Sequence, residues 1–468
     1  MPPVDEEGLP RSQRDAGARP RAVVVGVQLP DVTERELEAS LVELERLGKT
    51  LGLEPVARVT QKRSGLAPVA VLGEGKLKEL AALTGGTGVV PSSAPKKKRK
   101  IDRQDDDDDD ALESDDGDEA SASGGAGDVS VVLVDHDLSP SQARNLERAT
   151  GAEVLDRSSV ILSIFQRHAR TREARIQVEI ARLVYLAPRL REGGGGGDRQ
   201  RGGIGGKGAG ESALELDRRR IRDRIAELRT ELAQVQKESD VRRARRVQRG
   251  DTLALVGYTN AGKSSWFRLL TAGEVYVADE LFATLDTTVR AMVPEAKPRI
   301  LVSDTVGFIE RLPHDLVASF RSTLEEARDA SLLVHVVDAS DPAFRAQLEV
   351  TRRVLREIDA DAAPSLLLLN KIDQVDADTR ETLAVEWPDA MQVSARSAED
   401  LARVRARITE HFERDMSDAD LFVPYTKQAL VHQVHESARV LDERHDDDGT
   451  HLRVRAAAPV LARLRAQL

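Results

Sequence analysis

The stretch Gly257-Tyr-Thr-Asn-Ala-Gly-Lys-Ser264 directly follows the apolar run Thr252 to Val256. An apolar strand that breaks into G-x-x-x-x-G-K-[ST] and continues as a helix is the signature of a phosphate loop. Gly257 and Gly262 let the backbone of Tyr258, Thr259, Asn260 and Ala261 curl so that its N–H groups face phosphate oxygens, and the N-terminus of the next helix adds positive potential. Lys263 is expected to reach the β- and γ-phosphates, where it acts catalytically by stabilising transferred charge. Ser264 is placed to bind Mg2+, which keeps several waters and takes few protein oxygens. A strand, loop and helix of this kind predict a P-loop α/β domain with a mostly parallel sheet and three layers.

Phosphate loops serve ATP and GTP alike, so the base is decided elsewhere. Asn370-Lys371-Ile372-Asp373 ends the apolar run Ser365 to Leu369, about a hundred residues further on. A carboxylate there can accept from both guanine N1–H and the exocyclic amine, an edge that adenine lacks. Ser394-Ala395-Arg396, after Met391 to Val393, gains weight from its place in this series as the loop whose backbone meets the guanine carbonyl. Asp304-Thr305-Val306-Gly307 follows the run Arg299 to Ser303. Asp304 is expected to contact the metal through water and the Gly307 N–H to sense the γ-phosphate. Between loop and Asp304 lies Leu281-Phe-Ala-Thr-Leu-Asp-Thr-Thr-Val-Arg290. Its Thr284 is the best candidate for a hydroxyl that closes over the metal, with Thr287 and Thr288 as competitors; Phe282, Ala283, Leu285 and Asp286 complete the segment. The expected activity is hydrolysis of GTP to GDP and phosphate, with Lys263, Thr284 and Gly307 in the catalytic roles. Phe308 stands where many such enzymes carry a glutamine that orients the attacking water, so slow intrinsic turnover is expected.

These motifs, with three further stretches, closely resemble the HflX-type GTPases of the OBG–HflX-like superfamily. The resemblance is carried by Asp304-Thr-Val-Gly-Phe-Ile-Glu-Arg-Leu-Pro-His-Asp-Leu-Val317, Phe282-Ala-Thr-Leu-Asp286, Val134-Asp-His-Asp-Leu-Ser-Pro140 and Gly202-Gly-Ile-Gly-Gly-Lys-Gly-Ala-Gly-Glu211. It covers about residues 21 to 468 apart from one insertion. It implies a GTPase that binds the large ribosomal subunit, can separate stalled or idle ribosomes, and directs its glycine-rich loop towards the peptidyl-transferase centre. The chain departs from the family at Lys207, usually arginine, and at Ala209 and Thr287, both usually proline. These departures bear on the shape of the loop more than on the nucleotide site.

Upstream of the phosphate loop, apolar runs such as Ala22 to Val27 and Val129 to Val134 alternate with helical patterns over Thr33 to Leu47 and Ser139 to Ala149. This predicts a small α/β domain with a parallel sheet over 21–168. Gly73-Glu-Gly-Lys76 is too short a frame for a second nucleotide site, and His136 reads as a structural histidine in a polar turn. Ser92 to Asp128 interrupts the domain with Lys96-Lys-Lys-Arg-Lys100, six aspartates from Asp105 to Asp110 and a Ser/Gly-rich tail. Such composition buries no core, so 92–128 is expected to be disordered, and the basic run reads as a solvated insertion rather than a nuclear signal.

Two helices follow. Ile176, Ile180, Leu183, Ala187 and Leu190 in the first, and Ile221, Ile225, Leu228, Leu232 and Val235 in the second, repeat at fours and threes. They predict the seam of an antiparallel hairpin over 169–249, with Pro188 ending or kinking the first helix. The tip, 193–210, is glycine-rich and carries Arg199, Arg201 and Lys207. It suits either a backbone pressed against RNA or a flexible connector. Arg242, Arg243, Arg245 and Arg246 form a second basic cluster that serves either RNA or the helix C-terminus. The nucleotide-binding domain is expected over 250–415, with strands at Thr252, Arg299, Leu332, Ser365 and Met391. In the tail, 420–468, a helical pattern over Lys427 to Leu441 and an alternation over His451 to Val454 predict a small α/β appendage. His432, His435 and Glu436 there read as a solvated face rather than a metal site.

The 468 residues suit two to four domains. Residues 1–20 are polar and proline-rich and no run approaches a membrane span, so a soluble, cytoplasmic chain with a disordered tail is expected. Absence of cysteine excludes disulfides, thiolate metal sites and cysteine nucleophiles. The net charge is −11, while lysine supplies only 14 of the 69 basic residues. That bias predicts a halophilic source and argues against nonspecific nucleic-acid binding by the whole surface. The expected partners are GTP, GDP and the large ribosomal subunit through its RNA, for a monomer or weak dimer. The rival function is a GTP-toggled regulatory module acting through a protein partner. An ATP-driven RNA remodeller lacks helicase motifs here.

Overall fold

The computed structural model describes residues 19–90, 128–189, 213–247, 251–272, 281–282, 287–296, 299–310, 321–414 and 416–468, with the backbone alone for 213–215, 239–247 and 321–323. The expectations for the N-terminal tail, the insertion, the glycine-rich tip and the side chains of the basic cluster from Arg242 to Arg246 therefore lie outside the described residues. The chain falls into two compact units, Met1–Ile164 with Tyr185–Arg218 and Phe165–Val184 with Arg219–Leu468.

The first unit is built on β1 (Arg21–Gln28), α1 (Glu34–Thr50), β2 (Glu54–Lys62), α2 (Glu74–Thr84), β3 (Val131–Val134), α3 (Pro140–Thr150) and β4 (Glu153–Asp156), followed by the start of α4 (Arg157–His168). The strands run in the order β2-β1-β3-β4, all parallel. The central strands β1 and β3 are near-continuous apolar runs, as burial on both faces requires, whereas the edge strand β2 is polar and only partly buried. Local chemistry sets the helix ends: Thr33 with Glu36 and Ser139 with Gln142 form capping boxes, and Gly151 closes α3 at φ 67°. His136 Nε2 lies 3.0 Å from the Val27 carbonyl oxygen, a structural contact.

The second unit contains most of α5 (Arg172–Leu186) and of α6 (Ala213–Val247). Ile176, Ile180 and Leu228 are buried together, flanked by Leu183, Ile225, Leu232 and Val235. Arg172 pairs with Glu231 at 2.7 Å and Glu179 with Arg224 at 3.0 Å. A step of seven up α5 is thus a step of seven down α6, the register of an antiparallel pair. As expected, α5 stops before Pro188.

The same unit holds β5 (Asp251–Val256), α7 (Lys263–Thr271), β6 (Thr288–Ala291), β7 (Ile300–Asp304), α8 (Arg321–Arg328), β8 (Leu332–Asp338), α9 (Phe344–Glu357), β9 (Ser365–Asn370), α10 (Ala377–Glu386), β10 (Met391–Gln392) and α11 (Ala398–Glu413). The sheet order is β10-β9-β8-β5-β7-β6, parallel except for β6 against β7. One face of the sheet packs Leu253, Val334 and Leu368 against Trp266, Phe267, Val404 and Ile408 of α7 and α11. The other packs Val337 and Leu369 against Phe344, Leu348 and Leu383 of α9 and α10. Helix, sheet and helix make the three layers expected, an α/β fold.

The tail differs from its pattern. β11 (Met416–Pro424) is a strand the sequence analysis did not single out, and the helix expected over Lys427 to Leu441 is α12 (Ala429–Ser437) followed by β12 (Arg439–His445). With β13 (Gly449–Ala457) these strands form an antiparallel sheet ordered β11-β13-β12, which buries Leu421, Val454 and Leu452 against Val434 of α12 and Leu461 of α13 (Ala458–Gln467). Among the described residues no helix is long and apolar enough to cross a membrane.

Candidate functional site

The loops that matter all leave the carboxyl ends of parallel strands, where open α/β sheets bind ligands. After β5 the chain turns at Gly257 with φ 150°. A side chain at Gly257 would press into the Val336 carbonyl, and one at Gly262, where φ is 100°, would press into the Asn370 amide. Both glycines are therefore demanded by close approach as well as by backbone conformation. Gly262 caps α7, which opens at Lys263.

Lys263 is buried, and its ammonium donates to the carbonyls of Gly257 at 3.0 Å and Tyr258 at 2.8 Å. Burial pushes its pKa down to about 8, with Asp304 pulling the other way. Ser264 Oγ donates to Asp304 Oδ2 at 2.8 Å, and Asp304 is fully buried at the end of β7. Thr305 Oγ1 donates to the Leu255 carbonyl at 2.7 Å, which fastens the segment after β7 to β5. Next along, Phe308 bridges to the phosphate loop: Thr259 N–H donates to Phe308 O at 2.8 Å, and Phe308 N–H donates to Gly257 O at 3.1 Å. Tyr258 Oη accepts from the Glu310 N–H at 2.7 Å. This brings Gly307 against the loop, so that a side-chain carbon on it would lie 2.8 Å from Thr259 Cγ2 and 3.0 Å from Lys263 Nζ.

Across the sheet, Asn370 Nδ2 donates to the Ala261 carbonyl at 2.7 Å and its Oδ1 accepts from the Ala395 N–H at 3.3 Å. One amide thus joins the phosphate loop to the loop after β10. Lys371 sits at φ 58°, and its ammonium meets Asp338 Oδ2 at 2.7 Å. Ile372 is buried beside it. Asp373 accepts from Ser394 Oγ at 2.7 Å and meets the exposed Arg396 at 3.4 Å. The Ser394 N–H is in turn held by Asp400 at 2.9 Å.

Gly257 to Ser264, Asp304 to Gly307, Asn370 to Asp373 and Ser394 to Arg396 therefore share one edge. The arrangement brings together the loop backbone, a lysine, a hydroxyl beside a carboxylate, and a second carboxylate held by Ser394 and Arg396. Ser264 and Asp304 are the oxygen donors a magnesium ion takes, 2.8 Å apart at the head of α7. Phe282 is buried, with its ring edge-on to Phe165 at 4.5 Å between centroids. Ala283, Thr284, Leu285 and Asp286 lie outside the described residues, and Thr288 opens β6. The sequence reading did not single out Asp338, Asp400 or the pairing of Phe308 with the phosphate loop. The first had a signal, an aspartate ending an apolar run just before Ala339-Ser340-Asp341-Pro342; the other two depend on contacts between distant segments.

Three family descriptions match the chain in order. Residues 38–90 and 102–166 match the GTP-binding GTPase N-terminal region, 168–246 the GTP-binding GTPase middle region, and 252–371 the 50S ribosome-binding GTPase. GTPase HflX of Gluconacetobacter diazotrophicus is 57% identical over 450 residues, which cover 96% of this chain and 98% of that one. GTPase HflX of Escherichia coli is 37% identical over 439 residues, covering 93% and 92%. A solved GTP-binding protein of Sulfolobus solfataricus in complex with GDP is 22% identical, covers 84% of this chain and 99% of that one, and has a TM-score of 0.41. With the motifs on one sheet edge and relatives matched along nearly their whole length, this chain belongs to the HflX family of GTPases.

Proposed function

We propose that this GTPase is magnesium-dependent and that its nucleotide state controls association with the large ribosomal subunit, separating stalled or idle ribosomes. The observation that carries the reading is the convergence of Lys263, Ser264, Asp304, Gly307 and Asp373 on one edge of the sheet. Asp373 takes the two guanine N–H donors, while the Ala395 N–H turns from Asn370 Oδ1 to the guanine carbonyl. Lys263 leaves the Gly257 and Tyr258 carbonyls for the β- and γ-phosphates. Ser264 holds the metal directly, Asp304 through water, and Thr284 from the segment after Phe282. A magnesium ion held there would supply positive charge that offsets the charge developing on the transferred phosphoryl group. Water attacks the γ-phosphorus in line, and the Gly307 N–H couples the γ-phosphate to the order of the segment after β7. Glycines and cations in 193–210 supply the local contact to ribosomal RNA that the acidic surface as a whole does not.

Turnover of radiolabelled GTP across a magnesium titration, with ATP as competitor, tests the chemistry. The expected result is hydrolysis that chelator abolishes, that Ser264→Ala reduces by about 100-fold or more, and that excess ATP leaves unaffected. Hydrolysis indifferent to divalent ions, or inhibited equally by ATP and GDP, contradicts it.

A further inference from the structure

The side chain of Thr259 has no part in the chemistry above, yet it occupies the centre of the site. It is only 6% exposed, and its Oγ1 is buried with no hydrogen-bond partner among the described residues. Buried hydroxyls are nearly always bonded, so the present rotamer leaves Thr259 Oγ1 short of a partner and a rotamer that reaches one is favoured. Its position says which partner is in reach. A carbon placed on Gly307 would lie 2.8 Å from Thr259 Cγ2, 2.9 Å from Thr259 Cα and 3.0 Å from Lys263 Nζ. The γ-phosphate, which rests against the Gly307 N–H and the Lys263 ammonium, therefore has Thr259 as an immediate neighbour. In the present rotamer the methyl faces Gly307. A turn of χ1 between staggered wells puts Oγ1 in its place.

The other candidate for steering water is absent. Phe308 is apolar and 5% exposed, and both of its backbone groups are committed to the phosphate loop. It cannot orient a nucleophile.

Building on the GTPase reading, we propose that the Thr259 hydroxyl is a catalytic residue of hydrolysis: its Oγ1 accepts a hydrogen bond from the attacking water and holds it in line with the bond to be broken. The water oxygen bonds to the γ-phosphorus as the bond from phosphorus to the β–γ bridging oxygen breaks. The leaving electron pair departs on GDP, and the water's proton ends on the released phosphate. Thr259 keeps its own proton throughout, so it positions the nucleophile without acting as a base.

The test compares Thr259→Val, which removes the hydroxyl at nearly constant volume, with Thr259→Ser, which restores it. Single-turnover hydrolysis of prebound GTP is measured beside affinities for GDP and a non-hydrolysable GTP analogue. Thr259→Val is expected to slow hydrolysis about 10- to 100-fold, the range for a misplaced reactant, with both affinities unchanged and most of the rate regained in Thr259→Ser. Wild-type rates in Thr259→Val overturn the proposal. So does a fall in analogue affinity matching the fall in rate, because the hydroxyl then serves binding alone. Unchanged GDP affinity shows that the variant folds. Failure of the wild-type chain to bind or turn over GTP would instead count against the assignment of this edge as the nucleotide site.

Discussion

Asp373 illustrates how single residues are prepared for their work. Ser394 Oγ holds one carboxylate oxygen at 2.7 Å and Arg396 approaches the other at 3.4 Å. On the proposed reading, the carboxylate is thus oriented before the base arrives. Asp373→Asn can still accept from Ser394, so the fold should survive, but it presents a donor to one of the guanine donors. Two hydrogen bonds to a charged group at about 1.5–3 kcal/mol each imply a loss of GTP affinity of about 10²- to 10⁴-fold, with a gain for xanthosine triphosphate. Competition binding measures both, and unchanged selectivity would refute the assignment of the base. His335 shows the opposite use of burial. It lies inside β8, 7% exposed, and burial, with Arg352 adding repulsion, pushes its pKa down to about 4. An unfolded histidine takes up a proton below pH 6.5 whereas the native one does not until about pH 4. Stability is therefore lost as pH falls through this window, by up to about 3 kcal/mol, and is indifferent to this group above it. Denaturant midpoints from pH 7 to 4 should fall less steeply in His335→Leu than in the wild type; parallel curves would contradict the account.

At the scale of elements, the helical hairpin separates interactions that matter from those that only mark geometry. Leu228 is 1% exposed between Ile176 and Ile180. Leu228→Ala is expected to cost about 2–5 kcal/mol, seen as faster hydrogen exchange through α5 and α6. Glu179→Gln, on the solvated surface, should leave exchange unchanged because exposed ion pairs contribute little. A hairpin insensitive to Leu228→Ala would mean that its seam is not what holds it. The seam was legible in the sequence because Ile176, Ile180, Leu183, Ile225, Leu228 and Leu232 keep helical spacing. The central parallel strands were legible for a related reason, since strands buried on both faces read as unbroken apolar runs, whereas the parallel edge strand β2 is polar and was not singled out. Edge strands lack that signal: β6 is Thr-Val-Arg-Ala, half-buried except at the exposed Arg290, and its pairing with β7 is a tertiary fact. In β11 the alternation of Asp418 and Asp420 with Ala419 and Leu421 is period two, but its acidic residues resemble a linker. β12 was absorbed into a helical pattern because Val440 and Leu441 fall at plausible helical positions, whereas α12 ends at Ser437 and its backbone turns extended at Ala438. The site was more legible than the fold around it, because phosphate and guanine recognition demand particular residues at particular spacings. Asp338 and Asp400, which hold Lys371 and the Ser394 backbone, answer to no such spacing.

Along the chain, an α/β unit and the helices α5 and α6, with residues 193–210 between them in sequence, precede the domain that carries this edge. A net charge of −11 argues against nonspecific RNA binding by the whole surface, so the proposed contact has to be local, and salt will screen its cations. The most direct measurement is co-sedimentation with purified large ribosomal subunits, comparing a non-hydrolysable GTP analogue with GDP, for the intact chain and for a deletion of 193–210. The account predicts that the intact chain pellets with the large subunit when the analogue is bound, is released with GDP, and loses pelleting on deletion. Failure to pellet in either nucleotide state, with GTP binding intact, would contradict ribosome association and redirect attention to a protein partner.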